Sequence, residues 1–295
     1  MISSFDSLTV DKLTSELRSI GYVANRGLVT SLLISLKLGR PILLEGEVGV
    51  GKTELAKSIS QLLGRTLIRL QCYEGIDTNQ ALYEWDYARQ MLAIRAMSSN
   101  EVSDKSVDDL FGSKFLIERP LLQAIKAGDQ CVLLIDEVDR ADDEFEAFLL
   151  ELLSDFQITI PEIGTIAAKS RPIVILTSNR TRELHDALKR RCLYNWIGFP
   201  AAEQEIEIIK SRVPGVSEQL AAKVVGTVNK LREMDLEKSP GVAESIDWVQ
   251  SLGAIGANTL TEANAVETLG AVIKGRDDLE YVSGNLAEIV ADATG

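Results

Sequence analysis

Five short runs along the chain are almost wholly apolar: PILLEG (41–46), RTLIRLQC (65–72), CVLLID (131–136), RPIVILTSN (171–179) and YNWIGF (194–199). Runs of that length, rich in Ile, Leu and Val, predict strands buried on both faces of a parallel sheet. Helix-period stretches lie between them. Residues 52–63 read as a helix, and DDEFEAFLLELLSDF sets Phe145, Phe148, Leu149, Leu152, Leu153 and Phe156 along one helical face. Alternating strands and helices predict an α/β fold. After Pro200 the strand signals stop. Helical patterns follow at 201–212, 218–233 behind a Ser217 cap, 241–252, 261–274 and 277–293, punctuated by Pro214-Gly215, Pro240-Gly241 and Gly275. The expected organisation is an α/β domain over 1–200 and a small all-helical domain over 201–295.

Composition narrows this picture. A chain of 295 residues that is 45% hydrophobic has material for a substantial core. Nowhere do about eighteen apolar residues run together, so no spanning helix is expected. The opening MISSFDSLTVDKL has no basic region followed by an apolar run, so no secretory signal is expected and the reading is cytoplasmic. Cys72, Cys131 and Cys192 lie far apart and partly within apolar runs, which suits reduced, packed thiols rather than a disulfide frame. The formal charge of -13 opposes non-specific attraction to nucleic acid or to an anionic membrane surface.

The chemistry concentrates at strand ends. GEVGVGKT, Gly46 to Thr53, fits G-x-x-x-x-G-K-[ST] between a predicted strand and a predicted helix. Its glycines let backbone N–H groups turn around phosphate, with the helix start adding positive charge. Lys52 then serves the β and γ phosphates, and Thr53 offers Mg2+ a hydroxyl. CVLLID ends in adjacent carboxylates about eighty residues later: Asp136 for the Mg2+ shell and Glu137 as the base that polarises the attacking water. Asn179, closing RPIVILTSN, is placed to bond both the γ phosphate and that water, or to serve as a turn cap. Arg171, Arg180, Arg182, Lys189, Arg190 and Arg191 form a basic cluster, from which one arginine could be lent to a neighbouring subunit's γ phosphate.

GEVGVGKT, LLIDEVDR, TSNR and HDALKRRC, in that order and followed by a helical region, resemble an AAA+ ATPase along essentially the whole chain. QITIPEIGTIAAKSRPIVILTSN resembles the β-hairpin placed before sensor 1, and YEGIDTNQALYEWDY sits where helix 2 carries an insertion. Both features are similar to the MoxR family. CYEGIDTNQALYEWDYARQ and SPGVAESIDWVQSL look like its CoxD branch, found with maturation of the molybdenum-containing carbon monoxide dehydrogenase. The resemblance implies a P-loop αβα core with a helical lid, ATP and Mg2+ as cofactors, a hexameric ring, chaperone-like action and a partner with a von Willebrand factor A domain. It makes Gly46, Glu47, Val48, Gly49, Val50, Gly51, Lys52 and Thr53 the Walker A loop, with Glu54 beside it in the nucleotide site. Asp136 and Glu137 become Walker B, with Thr53 and Asp136 serving the metal. Asn179 becomes sensor 1, and Arg191 the arginine finger with Arg190 as the alternative. SPGVAES departs from the pattern, because it has no arginine where many relatives carry sensor 2.

Three functions are therefore weighed: a remodelling ATPase, a nucleotide-dependent scaffold, and a DNA-handling ATPase, the last opposed by the net charge. YEGIDTNQALYEWDY has no Lys or Arg and four acids, which excludes a base-stacking platform. Its alternating Tyr83-Glu84-Trp85-Asp86-Tyr87 predicts a strand with aromatics on one side and acids on the other. That leaves a packed insertion or a client-contacting element.

Overall fold

The computed structural model describes residues 5–96 and 109–292. Its strands are β1 (Ile42–Gly46), β2 (Thr66–Gln71), β3 (Tyr83–Trp85), β4 (Leu116–Glu118), β5 (Cys131–Asp136), β6 (Gln157–Ile160), β7 (Gly164–Ala167), β8 (Ile173–Ser178) and β9 (Leu193–Ile197). Five of them form one sheet in the order β2-β5-β8-β1-β9, with β2, β5, β8 and β1 paired in parallel. Register lines up the carboxyl ends: Gln71 opposes Asp136, and Glu45 opposes Ser178. Ligands of open α/β sheets bind at such an aligned edge.

The three central strands, β1, β5 and β8, are buried along their whole length, as their Ile, Leu and Val content predicts. The two outer strands correct the expectation of two-sided burial. In β2 only Leu70 is buried, and β9 buries Ile197 while exposing Tyr194 and Trp196. Apolar content in an edge strand reflects one covered face.

Contacts divide the chain into two compact units, Met1–Val10, Gly27–Glu45 and Ala56–Asn195 in the first, and Asp11–Arg26, Gly46–Leu55 and Trp196–Gly295 in the second. In the first, Asp142 caps the helix Asp143–Asp155 by accepting from the Phe145 amide at 2.8 Å. The expected stripe is buried except for Phe148, which is half-buried and packs on Phe145. The helix ends at Phe156 in a left-handed conformation and runs into the antiparallel β6–β7 hairpin. In the aromatic insertion, β3 pairs with β4, and Trp85 is buried with edge-on contacts to Phe111 and Tyr83. Glu84 pairs with Arg119 outside. The strand alternation stops at Trp85, because Asp86 caps a helix that begins with exposed Tyr87.

The second unit is mainly helical. Ser217 caps Glu218–Glu233 by accepting from the Leu220 amide at 3.1 Å, and Trp248 is fully buried in the helix Val242–Ala254. The stretch 261–274 is shorter than predicted: Glu262–Thr268 passes into a 3-10 turn. The stretch 277–293 is two helices, Arg276–Ser283 and Leu286–Asp292, parted at Gly284-Asn285, and residue 293 lies outside the described residues. Buried Glu205 and Arg232 form a two-pronged ion pair at 2.7 and 2.9 Å; Ser245 also donates to Glu205, and Arg232 donates to the Pro240 carbonyl. Full pairing is what makes such a buried charge tolerable. Among the described residues no helix is long and apolar enough to cross a membrane.

Candidate functional site

The Walker A segment follows β1 without a break. Gly46 is obligatory there, since a Cβ would lie 1.9 Å from the Ile197 carbonyl oxygen. Lys52 is buried at the start of the helix Lys52–Leu63, and its ammonium donates to the carbonyls of Gly46 at 2.8 Å and Glu47 at 2.6 Å. The cation thus stands inside the curl of the loop, where a phosphate-binding lysine belongs. Thr53 follows half-buried in the first turn.

The segment lacking a sensor-2 arginine meets this same loop. The amides of Val242 and Ala243, opening the helix Val242–Ala254, donate to the Gly49 carbonyl at 3.1 and 3.4 Å. Gly241 has no room for a side chain: its Cβ would sit 2.6 Å from the Val48 carbonyl oxygen. Glu244 caps the turn by accepting from the Gly241 amide at 2.9 Å. Backbone, rather than a side chain, therefore makes this contact with the loop.

Beside the loop lies a cavity of about 360 Å3, lined by Tyr22, Val23, Ile208, Arg212, Ile246 and Gln250 with loop backbone. Glu54 borders it, fixed by Arg212 at 2.6 Å. The Tyr22 hydroxyl lies 3.4 Å from the Gly51 carbonyl, and burial raises its pKa. Apart from Glu54, sequence reasoning missed these residues, because they are scattered along the chain and carry no motif.

In the first unit, the carboxyl end of β5 supplies the acids. Asp136 is buried, with Thr177 donating to one oxygen at 2.6 Å and Arg69 to the other through Nε at 2.9 Å and Nη2 at 2.5 Å. Glu137 adopts a left-handed backbone, φ 55°, which costs a non-glycine residue about 1–2 kcal/mol. The Thr177 hydroxyl takes its amide at 2.9 Å, and its carboxylate is about one-third exposed beside Arg140. The carboxylate is thus held half-open at a strand end by a strained backbone. Asp139, which sequence reasoning passed over, orders the turn after β8: its carboxylate accepts from the Asn179 and Thr181 amides and the Thr181 hydroxyl. The half-buried Asn179 side chain has no hydrogen-bond partner among the described residues.

The basic cluster separates into roles. Arg182 is structural, bonded to the Ala141 carbonyl and to fully buried Glu146. That engagement of Glu146, with the His185 amide, explains why Asp143, Glu146 and His185 gather without needing an ion. Arg191 is exposed and steadied by Ser154 at 2.7 Å. Arg190 is exposed with no side-chain partner among the described residues, and Arg40 ties down its carbonyl. The three cysteines are buried and unbridged. Burial, then the charges of Asp136, Asp139 and Glu137, push the Cys72 thiol up to about 12.

The family of AAA domains of the dynein-related subfamily matches residues 41–192, spanning β1, the glycine-rich loop, the paired acids, β8 with Asn179 after it, and the helix Asp186–Arg191. The chain belongs to this AAA family. An uncharacterized protein of Staphylococcus saprophyticus is 23% identical over 68% of this chain and 71% of its own length. The gas vesicle ATPase GvpN2 of Halobacterium salinarum is 25% identical over 87% of this chain and 76% of its own. The chaperone ClpB of Bacillus cereus is 29% identical over 58% of this chain and 18% of its own. The fold is thus the AAA+ P-loop α/β core with a helical carboxyl-terminal region, of MoxR-like type, and the expectation of a parallel sheet with a hairpin before sensor 1 holds.

Proposed function

We propose that this AAA chain is a Mg2+-dependent ATPase of the MoxR type that remodels a partner protein. One observation carries the reading: Glu137, strained and half-open, follows buried Asp136 at the end of β5. Lys52 and the loop amides bind phosphate, the 360 Å3 cavity takes the base, Glu137 polarises water and Asn179 positions it. Each proposed donor is of a kind Mg2+ takes: Asp136 would offer a carboxylate oxygen and Thr53 a hydroxyl to an ion that keeps several waters. Mg2+ would neutralise charge developing on the phosphates. Residues 1–200 act as the nucleotide-binding domain and 201–295 as the lid. Arg191, or Arg190, completes a neighbour's site in a hexameric ring.

A cytoplasmic chaperone-like role, with a von Willebrand factor A protein as partner and carbon monoxide dehydrogenase as client, rests on the likeness of SPGVAESIDWVQSL and the aromatic insertion to the CoxD branch. Exposed Tyr87 and the outward Glu84 make that insertion the candidate client contact. Capture of partners with the ATP-trapping Glu137→Gln form tests this; recovery of neither protein class would refute the client assignment. Lys52→Ala should lose nucleotide binding altogether. The scaffold reading keeps one supporting observation, the backbone contact made by the segment that has no sensor-2 arginine.

A further inference from the structure

We propose that Arg69 is a positioning residue of the nucleotide site, a built-in cation that holds Asp136 until a divalent ion displaces it. The inference rests on Asp136 being the metal-holding carboxylate. Arg69 is the single charged residue of β2, an edge strand from which its side chain could simply have entered solvent. Instead, two of its nitrogens converge on one oxygen of Asp136, at 2.9 and 2.5 Å, while Thr177 holds the other oxygen. The pair is lopsided: the Asp136 side chain is 3% exposed and the Arg69 side chain 49%.

That asymmetry decides which partner can leave. A buried carboxylate stripped of its cation carries a large penalty, so Asp136 keeps a positive neighbour at all times. Arg69 reaches it on a long side chain that is half in water, and Gln71 already accepts from Nη2, giving the guanidinium a second anchor. A divalent ion and Arg69 therefore compete for the same oxygen. In the ion-free chain Arg69 keeps Asp136 in place; when the ion arrives, the guanidinium moves off along the strand edge. The consequence is a metal affinity set below what Asp136 alone would give.

The test is Mn2+ affinity of the full chain at saturating non-hydrolysable ATP analogue, read from the free-ion electron paramagnetic resonance signal. Arg69→Gln should bind Mn2+ roughly three- to tenfold more tightly, modest because the guanidinium is half solvated. Arg69→Lys, which keeps the charge, should stay within twofold of wild type. Adding Asp136→Asn should abolish the gain from Arg69→Gln. Unchanged or weaker Mn2+ binding in Arg69→Gln overturns the proposal, as does an equal gain in Arg69→Lys. A wild-type chain that holds no more Mn2+ than the nucleotide alone overturns the metal role of Asp136 itself, and with it this inference.

Discussion

Gly241→Ala tests the contact between the Val242–Ala254 helix and the Walker A loop. The new methyl would lie 2.6 Å from the Val48 carbonyl oxygen, 2.8 Å from Gly49 Cα and 2.9 Å from the Glu244 carboxylate. Two of those three atoms are backbone, so a side-chain rotation cannot relieve the clash. Overpacking of this kind costs about 1–3 kcal/mol. Displacing the turn also lengthens the 3.1 Å bond from the Val242 amide to Gly49, which is worth about 1 kcal/mol. The strain falls on the loop that must cradle phosphate, and each 1.4 kcal/mol carried into binding is about tenfold in Kd. With only half of that total carried into binding, fluorescent ATP-analogue titration should show affinity roughly five- to thirtyfold weaker. Gly253→Ala, in the same helix with nothing near the added atom, should leave affinity unchanged. An affinity within twofold of wild type for Gly241→Ala would refute the claim that this backbone packing supports the phosphate loop.

Burial raises the thiols of Cys72, Cys131 and Cys192 to about 12, 11 and 12. Unfolded cysteine titrates near about 8.5, so above that pH the unfolded chain releases protons that the folded chain retains. Stability should be fully present below about pH 8.5 and fall toward pH 11, with Cys72→Ala removing up to about 1.4 kcal/mol per pH unit from the slope; an unchanged slope in urea unfolding contradicts this. Mixing inactive Arg191→Ala subunits with inactive Glu137→Gln subunits should restore measurable ATPase, because one kind supplies the finger and the other the base. No recovery would favour the scaffold reading.

The legible parts of the sequence were local ones. GEVGVGKT declares itself because three glycines, a lysine and a hydroxyl are needed within one turn, and LLIDEVDR, weak alone, because it follows that loop by about eighty residues. The Ser217 cap and the helical face from Phe145 to Phe156 were likewise written in short-range periodicity. Burial of β2 and β9 was misjudged, since an apolar run does not reveal whether a strand lies at the sheet's edge. The base-sized cavity and the Gly241–Gly49 contact join segments about 200 residues apart in sequence, which no window can see. Two signals were available and unused: the third acid of DEVD, Asp139, and the lone arginine in TLIRLQ, Arg69. A charge in an otherwise apolar strand asks for a partner, and here the partner was Asp136.

The central claim is that Glu137 is the base of an ATP-hydrolysing site. Its most direct test is steady-state phosphate release by purified Glu137→Gln alongside ATP-analogue binding by the same protein. The substitution keeps side-chain size and leaves the Thr177 bond to the backbone amide intact. ATP affinity near that of wild type, with turnover reduced at least about a hundredfold, is the expected result. Normal turnover in Glu137→Gln would contradict the account.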